Sequence, residues 1–138
     1  MVVSTEKSFA KNLSSLEGIF DFLAEFIDAQ GVDERDAFAL QVIVEELFTN
    51  MVKYSGGVDH QVAIRLARSG SQIDLRLTDF DSDPFDPSDL GMVDVHAPIE
   101  DRRPGGLGIH IVKTMVEDLE YEMNERTLTI SATRRLES

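Results

Sequence analysis

Glu46 and Asn50 stand four residues apart, a spacing that stacks them on one stripe of an α-helix. A carboxylate so placed can take a proton from an attacking hydroxyl, and a carboxamide oxygen can serve a hard cation such as Mg2+. An ordinary solvated helix face carries the same residue types, so the pair alone leaves both readings standing. Glu45 has no such partner and reads as solvated. Lys53, on the same stripe one turn beyond Asn50, is either a phosphate contact or a plain surface lysine.

A second group is Pro104-Gly105-Gly106-Leu107-Gly108, which opens directly into an apolar helical pattern. Glycines let backbone N–H groups approach an anion, and the positive end of a helix adds attraction. The competing reading is a tight loop that needs positive φ. A third group runs from Asp79 through Asp81, Asp83 and Asp86 to Asp89, at and beyond the end of a strand pattern. Its alternate aspartates suggest a calcium loop, but the required glycine and glutamate fall on Pro84 and Leu90. An improvised cation site, a solvated acidic loop, and a buried Asp79 accepting from an adenine amino group all remain open. His60, His96 and His110 lack metal-ligand spacing, and no nucleophile-elbow pattern is present.

Several elements must position these residues. Val2 and Val3 begin a short edge strand. Leu16, Ile19, Phe20, Leu23, Phe26 and Ile27 share one face of a helix over about Ser14 to Ala29, with a Ser14–Glu17 capping box and a Gly31 stop. A second helix runs from about Asp33, its N-cap, to Tyr54, ended by Ser55-Gly56-Gly57. Its buried stripe is Ala37, Leu40, Val44, Leu47, Phe48 and Met51, and Glu46 and Asn50 face away from it, flanked by Val42 and Ile43. Alternation over Gln61 to Ala67 and Gln72 to Thr78 predicts a hairpin turning at Arg68-Ser69-Gly70-Ser71. From Phe80 to Pro104 no period is visible, as in a functional lid or an unstructured segment. A third helix from about Gly108 buries Ile109, Val112, Met115, Val116 and Leu119, and a last hairpin, Glu120 to Asn124 and Thr127 to Thr133, turns at Glu125-Arg126. Helices and hairpins with one apolar face each predict an α+β fold. It is a two-layer α/β sandwich with helices on a mostly antiparallel sheet, as one domain over residues 1–138. Tight turns argue against a parallel Rossmann sheet, which needs helical crossovers.

The bulk composition sets limits. Of 138 residues, 26 are acidic and 13 basic, a formal net charge of −13, which disfavours phosphate backbones and anionic bilayers as direct partners. Any nucleotide held here needs backbone amides and a divalent cation to offset that charge. Without cysteine there are no disulfides or thiolate metal sites. The start lacks a signal-peptide pattern, and no apolar run approaches the roughly 18 residues of a membrane span, so a cytoplasmic location is expected.

Taken in order, these pieces resemble the GHKL, or Bergerat, histidine-kinase-like ATPase fold. Val44 to Tyr54 (VEELFTNMVKY) resembles its N-box, Asp79 the aspartate opening its first glycine box, and Gly105 to Val112 (GGLGIHIV) its second. Pro84-Phe85-Asp86-Pro87, with the run from Ala97 through Arg103 to Gly108, is similar more narrowly to the anti-sigma-factor serine kinases of the RsbW type. The resemblance covers nearly the whole chain. It implies ATP and Mg2+ as cofactors, with Glu46 as general base toward a partner serine and Asn50 as the Mg2+ ligand. It also implies Asp79 on the adenine amino group, Lys53 near the phosphates, and Gly105, Gly106, Leu107 and Gly108 around them. Thr129 would hold the base through a water. The implied partners are a sigma factor, a STAS-domain antagonist phosphorylated on serine, and a second copy of the chain. This sequence departs from the pattern: no glycine follows Asp79 closely, Asp81 or Ser82 standing there, and the stretch to Phe85 is one residue longer. The departure keeps a second expectation alive, a protein-binding module of the same fold without kinase activity.

Overall fold

The computed structural model describes residues 2–54, 60–80 and 106–136, without the side chains of Tyr54 and residues 106–109. The Ser55-Gly56-Gly57 stop, Gly105, the acidic run beyond Phe80 and the stretch from Ala97 to Pro104 lie outside the described residues. The elements are β1 (Val2–Ala10), a 3-10 turn (Leu13–Ser15), α1 (Leu16–Gln30), α2 (Glu34–Tyr54), β2 (Gln61–Ser69), β3 (Gln72–Asp79), α3 (Gly106–Met115), β4 (Asp118–Asn124) and β5 (Thr127–Arg135). The strands form one five-stranded sheet in the order β1-β2-β3-β5-β4, every neighbouring pair antiparallel.

Strand alternation decides which face is covered. Val62, Ile64 and Leu66 of β2, Ile73, Leu75 and Leu77 of β3, and Leu128 and Ile130 of β5 are buried in one cluster. Ile19, Leu23 and Phe26 of α1, Leu40, Val44, Leu47, Phe48 and Met51 of α2, and Val112 of α3 pack into the same cluster. This is the expected α+β two-layer sandwich, its helices on one face of an antiparallel sheet. No helix among the described residues is long and apolar enough to cross a membrane.

Several boundaries follow the sequence signals. Gly31 closes α1 with φ 62°, the Val32 N–H donating to the Ile27 carbonyl at 3.0 Å, as a glycine-stopped helix requires. Asp33 caps α2 by accepting from the Asp36 N–H at 3.0 Å. Both hairpins form where expected, with Gly70 at φ 62° and Glu125 at φ 56° in their turns.

Other expectations are corrected. β1 is nine residues long, and all but Phe9 are exposed: it is an edge strand that, of the helices, chiefly α1 touches, and its sequence carries no apolar alternation. The Ser14–Glu17 capping box gives way to Asn12, whose Oδ1 accepts from the Ser14 N–H at 3.0 Å and caps the 3-10 turn, so that α1 begins at Leu16. Phe22 is buried as well, its ring edge-on to Phe9 at 5.7 Å. On α2, Ile43 is fully buried whereas Ala37 is only half-buried, so the inward face is wider than the apolar stripe alone. α3 starts earlier, at Gly106, and ends at Met115, leaving Val116 and Leu119 half-buried beyond it.

One polar contact ties the layers together. Arg134 of β5 donates through Nη2 and Nε to Asp36 Oδ1 at 2.8 and 3.1 Å, and through Nη1 to the Met115 carbonyl at 2.6 Å. It therefore joins the first turn of α2 and the last carbonyls of α3 to the sheet. Removing one member of such a pair leaves an uncompensated buried charge. Arg134→Met is expected to lower the unfolding free energy by about 3–5 kcal/mol in urea titrations; a loss under about 1 kcal/mol would assign Arg134 no structural weight.

Candidate functional site

The Glu46–Asn50 stripe does not face away from the core as expected. Glu46 is half-buried, Asn50 is 2% exposed, and Lys53 is exposed, so the stripe runs from a partly wet acid through a buried amide to an open cation. The expectation set the pair on a stripe turned away from the main apolar one and flanked by Val42 and Ile43, but α2 buries Ile43 and Asn50 as well. Thr49 donates to the Glu46 backbone carbonyl at 3.2 Å, which leaves the Glu46 carboxylate out of that bond. Asn50 Nδ2 is buried and has no hydrogen-bond partner among the described residues. Leaving such a donor unmatched costs about 1–3 kcal/mol, and native folds keep few of them. The position therefore has the character of one half of a contact.

Asp79 ends β3 and is fully buried. Lys11, just past β1, places Nζ 2.5 Å from Asp79 Oδ2, and the two side chains are 1% and 0% exposed. The backbone pins this lysine, since its N–H donates to the His60 carbonyl at 2.8 Å beside the start of β2. The ion pair thus reaches from the end of β1 across β2 to the end of β3. Sequence reasoning missed Lys11, a lone lysine after a polar strand whose partner lies 68 positions away. No local pattern marks it.

Gly106, Leu107 and Gly108 form the first turn of α3, where backbone N–H groups have no partner within the helix. α2, which bears Asn50, packs against both α3, which opens with the glycine turn, and β3, which ends in Asp79. Thr129 does not join them. It pairs in register with Thr78, one position from the Asp79–Leu128 pair, and alternation sends it to the sheet face the helices leave bare. There it lines a shallow groove with Glu120, Glu122 and Ser131. The expectation for Thr129 overlooked this parity. Among the described residues, no group of three His, Cys, Asp or Glu side chains is placed to hold a metal.

This arrangement can be set beside known proteins. The family described as the histidine kinase-like ATPase domain matches residues 9–133. The chain belongs to that family. Its match runs from Phe9 on β1 to Thr133 on β5, taking in α2, β3 and α3 together. Among curated proteins, none matches the chain. Among solved structures, it is similar to the RsbU and RsbW domains of Rv1364c from Mycobacterium tuberculosis, with a TM-score of 0.71 at 13% identity. That alignment covers 97% of this chain and 32% of the other, so the chain spans about a third of that protein's length. The structure of the SiaB–SiaC complex from Pseudomonas aeruginosa gives a TM-score of 0.67 at 15% identity, covering 94% of this chain and 88% of that one. At such identities the likeness is one of fold.

A buried amide whose donor is unmatched weakens the fold that carries it. Asn50→Leu, which removes the unmatched donor and keeps the bulk, is expected to raise stability by about 1 kcal/mol in chemical denaturation. A fall of similar size would mean that the amide already serves the fold.

Proposed function

We propose that this domain binds ATP with Mg2+ and transfers the γ-phosphoryl group to a serine of a STAS-type partner, in a switch that sequesters and releases a sigma factor. The observation that carries the reading is Asn50, a buried amide with an unmatched donor on the helix that packs against the glycine-headed α3. The donor set fits the ligand. Asn50 Nδ2 can donate to a phosphate oxygen while Oδ1 of the same amide serves the cation. Mg2+ is ordinarily held by one or two protein groups, with phosphates and waters completing its shell, so a single protein ligand is enough. Bound there, Mg2+ would neutralise charge on the phosphate oxygens.

The chain's own residues then divide the work. Backbone N–H groups of Gly105, Gly106, Leu107 and Gly108 donate to the phosphates, which suits a protein of net charge −13. Asp79 accepts from the adenine amino group, and Lys53 meets the phosphates from the solvent side. Half-buried Glu46 takes the proton from the serine Oγ as the Oγ–P bond forms. The bond from the γ-phosphorus to the bridging oxygen breaks and ADP leaves. Positioning and charge neutralisation supply most of the catalysis in such transfers. Thr129 is left out, since it lies on the opposite sheet face. The structural likeness to RsbW domains and to a protein solved as the SiaB–SiaC complex supports the regulatory setting. This setting carries with it the expected cytoplasmic location and pairing of two copies.

A second reading, the non-catalytic docking module, is favoured by one observation. Asp79, the proposed base acceptor, is already engaged by Lys11. Calorimetry separates the two. Mg2+-dependent ATP binding is expected, and its absence at millimolar nucleotide would leave the docking module. Glu46→Ala is expected to cut phosphoryl transfer to a cognate STAS protein by about 10²–10⁴-fold while ADP affinity holds. Unchanged transfer would remove Glu46 from the base role.

A further inference from the structure

We propose that two copies of the chain pair through the sheet face the helices leave bare, an inference that rests on the two-copy reading above. Strand alternation away from the buried Leu66, Leu75 and Ile130 puts Arg65, Arg76, Ser131 and Glu120 on that face. The register lines them up in one row: Arg65 lies opposite Arg76, Arg76 opposite Ser131, and Ser131 opposite Glu120. Two arginines directly opposite one another repel. Arg65 has Glu6 across from it on β1, whereas Arg76 has only Arg65 and Ser131 as its cross-strand neighbours. Among the described residues, neither Arg76 nor Glu120 is in an ion pair. The face thus holds unspent charge of both signs, cations on β2 and β3 and acids on β4.

That pattern is its own complement. A two-fold axis running between β3 and β5 turns one sheet onto the other, so that β2 and β3 of each copy lie on β4 and β5 of the second. Arg65 then falls on Glu120 of the second copy and Arg76 on its Ser131. Glu120, Glu122, Thr129 and Ser131 line a groove of about 570 Å³, whose hydroxyl floor and acidic wall suit an incoming guanidinium. The adjoining rows set Asp74 on Thr133 and Thr78 on Thr129, so no like charges meet directly. Sheets packed face to face stand about 10 Å apart, a gap that arginine and glutamate side chains span together. Four overlapping strands give roughly 450 Å² a side, the scale of a weak, reversible pairing.

The test is sedimentation equilibrium of the full chain at physiological ionic strength, where a Debye length of about 8 Å screens the net charge of each copy. Wild type is expected to be in monomer–dimer equilibrium. Arg65→Glu with Arg76→Glu should weaken pairing at least about tenfold, and so should Glu120→Arg with Glu122→Arg. An equimolar mixture of those two variants should pair again, because each then meets the opposite sign. Asp21→Arg with Glu45→Arg makes the same charge change on the helix layer and should not weaken pairing. Should a double variant fail to fold by circular dichroism, Ser131→Arg on the groove floor should give the same loss. Wild-type pairing that the reversals leave unchanged, or a mixture that stays monomeric, overturns the assignment of this face and leaves two-copy pairing standing. A wild type that is monomeric at several hundred micromolar overturns both, and neither result touches the nucleotide reading.

Discussion

The apolar face shared by β2, β3 and β5 must be shielded from water, and α2 is the helix that lies across β3 to do so. The candidate site depends on that constraint. Because Leu40, Val44, Leu47, Phe48 and Met51 are drawn onto the sheet, the neighbouring stripe with Glu46 and Asn50 is carried to the edge of the core. Arg134 adds a polar tie where burial by itself is not directional, binding Asp36 at one end of α2 and the Met115 carbonyl at the end of α3. The two helices that bear the amide and the glycine turn are thus held to the same strand.

Two buried polar features within this frame differ in kind. Asp36 and Arg134 neutralise each other between layers and leave the pair with a structural task. Asp79 and Lys11 neutralise each other at one end of the sheet, beside the elements that bear the remaining candidates. A buried ion pair seldom adds net stability over a well-packed apolar pair, because desolvation offsets the attraction. The unmatched donor of Asn50 is a third buried polar feature, a small loss of folding free energy next to the core.

The overall negative charge of the chain fits this economy of cations. An anion-binding region in such a protein draws on backbone dipoles, since those carry no net charge and do not depend on surface composition. α3 begins inside the glycine cluster rather than after it, so the amides of Gly106, Leu107 and Gly108 belong to the helix's first turn.

Local signals were enough for most of the architecture. Period and alternation marked α1, α2 and both hairpins. The Asp33 cap, the Gly31 stop and the Gly70 turn were legible because each depends on residues within a few positions of one another. The order of N-box, aspartate and glycine turn likewise marked the family from the sequence, and the match over residues 9–133 agrees. What the tertiary structure decided was everything that depends on partners distant in sequence. β1 owes its length to pairing with β2, not to its own pattern. Asn50 is buried because α2 turns more of its surface inward than its apolar residues mark. Thr129 was assigned by resemblance, but strand parity put it on the bare face. Lys11 became part of the site only when folding brought it to Asp79, for a charge pair has no periodicity and its energy depends on distance and burial alone.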